Sequence, residues 1–196
     1  QIRPAVHPLR AFHPQQPVMD IAFADAFLSD DNRNYVQRLL ETAFPLDERP
    51  PFAKMERRGG NYHLCVVQKN GGNVGVLGYW DFGETVYIEH FAIEEKQRNK
   101  GLGTETLATF LSRLAKGTQV VLEVEPPADD TTRRRVEFYK RNGFYHNPHI
   151  IYKQPPYRPG GQWLTLHILS LQPLQPADFE PVCNRIYAEV YDVDEE

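Results

Sequence analysis

Long apolar runs are missing from this chain: no stretch approaches the roughly 20 residues that cross a bilayer, so no membrane partner is expected. Cysteine is scarce. Cys65 and Cys183 are the two present, and they stand far apart in sequence. That excludes a disulfide framework and the paired spacing of a zinc site, so no metal is expected, and Cys65, in an apolar strand-like run, reads as a buried thiol. An excess of positive charge is missing as well: 22 Lys and Arg face 26 Asp and Glu, for a net charge of −4. The usual electrostatic reason to expect a nucleic-acid partner is therefore gone. The first residues lack the apolar centre of a signal peptide. The expectation is a soluble, cytoplasmic protein, monomer or homodimer.

What is present is enough apolar sequence for a core, 41% of 196 residues, which suits one domain with an appended segment. Residues 1–18 carry prolines at 4, 8, 14 and 17 and resist both helix and sheet, so they read as an extended arm or a remnant, with Met19 a candidate start. The domain is then 19–175, and 176–196 is a closing helix with an acidic tail.

Along the domain, Ser29, Asp30 and Asp31 open a helix whose Tyr35, Val36, Leu39, Leu40 and Phe44 recur at helical spacing until Pro45. A short helix follows Pro50 and Pro51 and stops at Gly59 and Gly60. Strands are predicted at Tyr62–Gln68, Val74–Phe82 and Thr85–Ile93, joined by tight turns into an antiparallel meander. Then come a helix ending at Gly117, the strand TQVVLEVE, and a helix capped at Asp130 or Thr131 and stopped by Gly143. Two strands around QPPYRPGGQ and an amphipathic closing helix complete the order. That closing helix, with Phe179, Val182, Ile186, Tyr187 and Val190 on one stripe, needs a partner in its own sheet or in a second subunit. The strand at 119–125 follows a crossover helix, so it pairs parallel with 85–93. The fold class is α/β (α+β), with a mixed, mostly antiparallel sheet.

The stretch EKQRNKGLGTETLATF is the chemical centre of the sequence. Two glycines, next to Arg98 and Lys100, stand at the mouth of a helix, where free amides and the helix dipole attract an anion. No Gly-Lys-Ser/Thr follows, and the third glycine of the dinucleotide fingerprint is missing, which leaves a different phosphate site. Arg98-Asn99-Lys100-Gly101-Leu102-Gly103, placed between a strand and a helix, resembles the acetyl-CoA signature of the GNAT (GCN5-related N-acetyltransferase) superfamily. VEFYKRNGF, residues 136–144, resembles that family's second conserved stretch, and the likeness covers roughly 62–153.

The resemblance implies transfer of an acetyl group from acetyl-CoA to a primary amine of a small molecule or peptide. It implies pyrophosphate contacts from Arg98, Asn99, Lys100, Gly101, Leu102, Gly103 and Thr104, and a pantetheine arm alongside Phe91 and Ile93. It also implies a bulge that splays the central parallel strands. Tyr139 stands at the position of the family's tyrosine acid. An alkyl amine holds its proton at neutral pH, so a base is needed. Strand alternation puts Tyr87, Glu89 and Phe91 on one face and Val86, Ile88 and His90 on the other. Glu89, a carboxylate inside an apolar strand, is the expected base, with His90, Glu123 and Glu125 as the alternatives. One of Arg133, Arg134 and Arg135 reaches toward a coenzyme phosphate or all three lie on a solvated face. Arg57-Arg58 closes a helix or edges the acceptor site, and Tyr157 and Arg158 line its mouth. The competing reading is a catalytically silent member that binds coenzyme A or a related ligand as a sensor or interaction module.

Overall fold

The computed structural model describes residues 21–193. The proline-rich segment 1–18 and the last three residues of the acidic tail lie outside them. Seven strands form one sheet: β1 (Ile21–Asp25), β2 (Tyr62–Lys69), β3 (Gly72–Asp81), β4 (Thr85–Ile93), β5 (Gln119–Val124), β6 (Tyr145–Gln154) and β7 (Leu164–Ser170). Their order is β1-β2-β3-β4-β5-β7-β6, antiparallel except for the parallel β4–β5 pair. The crossover helix between those two strands sets their shared direction. β1 is an addition to the predicted elements. It is five residues long and carries little pattern of its own, and pairing with β2 defines it.

One face of the sheet is covered by α1 (Asp30–Ala43), α2 (Phe52–Arg57) and α5 (Pro176–Arg185), whose apolar stripes meet Tyr62, Val66, Tyr87 and Val121. The opposite face is covered by α3 (Leu102–Ser112) and α4 (Asp130–Arg141), packed on Val86, Ile88, Val120 and Leu122. The helix ends follow local chemistry. The Ser29 side chain accepts from the Asn32 amide and caps α1. Asp129, not Asp130 or Thr131, caps α4: its carboxylate accepts from the Thr132 amide while the Thr132 hydroxyl binds back to the Asp129 amide. α3 stops at Ser112, short of Gly117, which instead serves the turn into β5 with φ of +90°. α5 continues into a π-helical turn, Ile186–Val190, and packs on its own sheet through Phe179, Ile186 and Val190.

A bulge in the β3–β4 register corrects one expectation. Gly78 pairs with His90 but Tyr79 pairs with Ile88, so Glu89 is an extra residue and the alternation reverses there. Before it, Tyr87 faces the α1/α5 side and Ile88 the α3/α4 side; after it, Phe91 and Ile93 face α3/α4 and Ala92 faces α1/α5. Phe91 and Tyr87 therefore do not share a face. His90 moves with Ala92 and packs edge-on against Phe44, which follows α1. The β4–β5 pairing ends at Ile88, the residue just before the bulge, and its partner Leu122. Beyond that point the two strands run on without pairing to each other.

Candidate active site

The gap between the diverging ends of β4 and β5 is a cavity of about 690 Å³ that passes from one face of the sheet to the other. On the α3/α4 side it is lined by Arg98, Asn99, Gly101, Leu102, Gly103 and Thr104, with Arg134, Phe138 and Tyr139 across from them. On the α1/α5 side it is lined by Phe44, Glu48, Glu89, Glu123, Glu125 and Tyr157. One opening is basic and the other acidic. Of the residues expected to hold the coenzyme, Lys100 stands apart from the lining, as do His90 among the candidate bases and Arg57, Arg58 and Arg158 among the residues expected at the acceptor site. The Lys100 ammonium donates to Gln97 Oε1 at 3.1 Å.

The basic opening is built by the start of α3. Gly101 holds a φ of +76°, a left-handed conformation that glycine adopts without strain, and a Cβ there would meet open space. No side chain caps this helix, so its first-turn amides face outward with their partial positive charge. Gly103 has a different reason to be glycine. A Cβ there would lie 3.0 Å from Phe138 Cζ, so the missing side chain lets α3 and α4 pack closely while the backbone of Gly103 still lines the cavity. Arg98 donates from Nε to the Ile93 carbonyl at 3.0 Å, tying the loop to the end of β4 and occupying one of the backbone groups expected to face a ligand. These features fit a diphosphate: exposed amides, an open turn and the nearby guanidinium of Arg134.

At the waist of the cavity the two carboxylates inside apolar strands differ sharply. Glu89 is fully enclosed and fully paired. It accepts from Arg58 Nη1, Trp80 Nε1 and Tyr157 Oη, each at 2.8 Å. Burial alone would push its carboxyl up, but the Arg58 charge, His90 and these hydrogen bonds outweigh that and hold it below the usual range. Such a carboxylate is a poor proton acceptor. Arg58 is itself buried, stacked on Tyr62 and Trp80 and tied to the Val190 carbonyl at 3.1 Å, so it is an internal clamp and not an edge of the acceptor site. His90 is enclosed, pushed down by burial, and its Nε2 is 3.0 Å from the Glu48 carbonyl oxygen.

Glu123 is the contrast. Burial raises it to about 7, against a smaller downward pull from the hydroxyls of Tyr152 and Tyr87, and the Glu89 charge adds to the rise. Its Oε1 is buried without a hydrogen bond. Glu125, two residues on, is engaged by Arg135 at 2.5 Å. Tyr139 is raised to about 12 by burial, and among the described residues its hydroxyl has no hydrogen-bond partner. Arg133 pairs with Asp130 on the surface of α4, so the arginine triplet divides its work: one on the solvated face, one on Glu125, and Arg134 at the basic opening.

Sequence comparison agrees with this geometry. Residues 60–146 match the profile of the Acetyltransferase (GNAT) domain. A solved GNAT-family structure from Bacteroides thetaiotaomicron, provisionally assigned as an acetyltransferase, superimposes with a TM-score of 0.79 at 30% identity, over 90% of this chain and all of that one. The chain belongs to the GNAT family of acetyltransferases. Another relative is YjbC of Bacillus subtilis (strain 168), also provisionally an acetyltransferase, 31% identical over 127 residues; the match spans 62% of this chain and 62% of that protein. A GNAT-family structure from Elizabethkingia anophelis with acetyl-CoA bound shares the fold, at 18% identity and a TM-score of 0.55 over 81% of this chain and all of that one. Within the GNAT fold, the through-sheet cavity lies where the parallel strands part.

Proposed function

We propose that this GNAT protein transfers an acetyl group from acetyl-CoA to a primary amine, with the coenzyme at the basic opening and the amine at the acidic one. The observation that carries the reading is the charge polarity of a single cavity through the sheet. Residues Arg98 to Thr104 would hold the pyrophosphate, chiefly through the amides at 102–104, and the unpaired edge of β4 near Phe91 and Ile93 would run beside the pantetheine. Bound there, acetyl-CoA supplies an activated acyl group at the waist of the cavity.

Glu123, and not Glu89, is the proposed base. An acid raised to about 7 is ionised for a large part of the time at neutral pH, and it holds a proton far more strongly than an ordinary carboxylate does. Glu89 lacks that strength because Arg58 neutralises it. Its work is to fix Tyr157 and the bulge and to keep Glu123 high. Tyr139 faces the same waist from the other side. Its hydroxyl near 12 cannot hand over its proton cheaply to a thiolate near 8.5: full transfer costs about 5 kcal/mol. It acts as a hydrogen-bond donor to the departing sulfur.

Tyr139→Phe is expected to lower kcat by about 10²-fold, the loss typical of one donor aimed at developing charge, with coenzyme affinity nearly unchanged. Thiol-release kinetics beside a binding titration check both halves. Gly101→Ala places a Cβ-bearing residue in the left-handed region, at about 1–2 kcal/mol, and is expected to lower Tm and weaken coenzyme binding together. The reading as a whole is tested by thermal shift. Acetyl-CoA at 100 times its Kd stabilises by about 2.7 kcal/mol, a rise of about 5–11 °C for a chain of this size. No shift with acetyl-CoA would contradict it.

A further inference from the structure

We propose that the acceptor is a dication: a chain of methylenes with one ammonium at Glu123 and a second held between Glu48 and Glu125. This rests on the acyl-transfer reading above and names its substrate class.

Glu123 and Glu125 point to the same face of β5, about 7 Å apart along the strand. Glu48, from the 3₁₀ turn Leu46–Glu48, faces Glu125 across the acidic opening. Its carboxyl is half-buried and is pushed up by that burial and by the Glu125 charge. Among the described residues no side chain hydrogen-bonds or ion-pairs with it. Arg135 is the cation whose charge acts on it, and Arg135 is already committed to Glu125. A second cavity of about 340 Å³ continues outward from here, shares Glu48, Glu125 and Leu166 with the first, and adds Asp129. The passage therefore carries carboxylates at its waist and at its exit, while Phe44, Tyr157 and Leu166 make its walls apolar.

The buried Oε1 of Glu123, with no hydrogen bond, marks the inner end as built for a guest. A monoamine would satisfy that end and leave Glu48 repelled by Glu125. An amino acid would bring a carboxylate into the same repulsion. A flexible diamine satisfies both ends and lays its methylenes on the apolar walls. The near ammonium gives one proton to Glu123, its nitrogen bonds the acyl carbon as the carbon–sulfur bond breaks, and its second proton leaves with coenzyme A as the free thiol. The far ammonium stays charged and sets the position of the chain.

The test is thiol release from acetyl-CoA with diaminobutane, aminobutanol and butylamine as acceptors, repeated with Glu48→Gln and Glu48→Asp. The wild type is expected to favour the diamine by about 10–100-fold in kcat/KM over either monocation, the span of one charge-assisted contact. Glu48→Gln should bring the ratio close to unity, and Glu48→Asp should keep most of it. Equal kcat/KM for all three acceptors in the wild type, or a preference that survives Glu48→Gln, would overturn the proposal and leave the acyl-transfer reading standing. Release from none of them, by a protein that acetyl-CoA still stabilises against heat, would overturn the diamine proposal, and release with a peptide amine in the same assay would leave the acyl-transfer reading standing.

Discussion

Glu123→Gln is expected to be slower by about 10²–10⁴-fold in kcat and yet harder to melt at pH 8. The two effects share one cause. The carboxyl rises from 4.5 to about 7 because folding removes it from water. A folded-state value above the unfolded one means that the native protein prefers the neutral acid. The penalty for the ionised form is absent below about pH 4.5, grows as the pH passes toward 7, and is complete above that. The amide removes it. At pH 8 the gain is at most about 3 kcal/mol, a Tm increase on the order of 6–12 °C. At pH 4 the two proteins should melt nearly together. The same titration makes wild-type kcat/KM climb with pH around 7. Melting curves at both pH values, with kcat at pH 8, check the prediction. A lower Tm for Glu123→Gln at pH 8 would mean that the carboxylate is well solvated or well paired.

Arg58→Ala should be the most destabilising single change at the site. It leaves Glu89 charged, enclosed and without its counter-ion, and it also removes the guanidinium stacked on Tyr62 and Trp80. Breaking one side of a buried ion pair costs about 3–5 kcal/mol, or about 6–20 °C in Tm for a chain of this length. The loss reaches further than the pair, because Arg58 also holds the Val190 carbonyl and so ties the C-terminal turn to the floor of the cavity. The double change Arg58→Met with Glu89→Leu should melt above Arg58→Ala, since it removes the orphaned charge. Denaturant unfolding of the three proteins reads this directly. A double variant less stable than Arg58→Ala would show that the pair is not the source of the cost.

Elements defined by their own residues could be read in advance. β4 runs from Thr85 to Ile93, the limits its apolar pattern predicts, and α1 begins after Ser29 because the cap is local. The glycine turn was equally legible, since φ at Gly101 and the start of α3 depend on a few adjacent residues. What sequence could not carry was set by partners far along the chain. The bulge at Glu89 exists only in the register against β3, so the alternation of β4 read alone misplaces Phe91 and His90. Glu89 and Glu123 look alike as carboxylates in apolar strands. Arg58, 31 positions before Glu89, separates them by neutralising one and not the other. The two adjacent glycines after Arg58 make it look like a solvated helix end, and only the packing of α2 and the C-terminal turn buries it. The acidic passage was legible only in part for a similar reason: strand alternation puts Glu123 and Glu125 on one face, but Glu48 lies in a three-residue turn and meets Glu125 only in the fold.

A crystal structure with coenzyme A would show which way the cavity is used. The diphosphate is expected on the amides at 102–104 and the sulfur at the waist, between Tyr139 and Glu123. A coenzyme bound outside the gap between β4 and β5, or entering from the side of Glu48 and Glu125, would contradict that expectation.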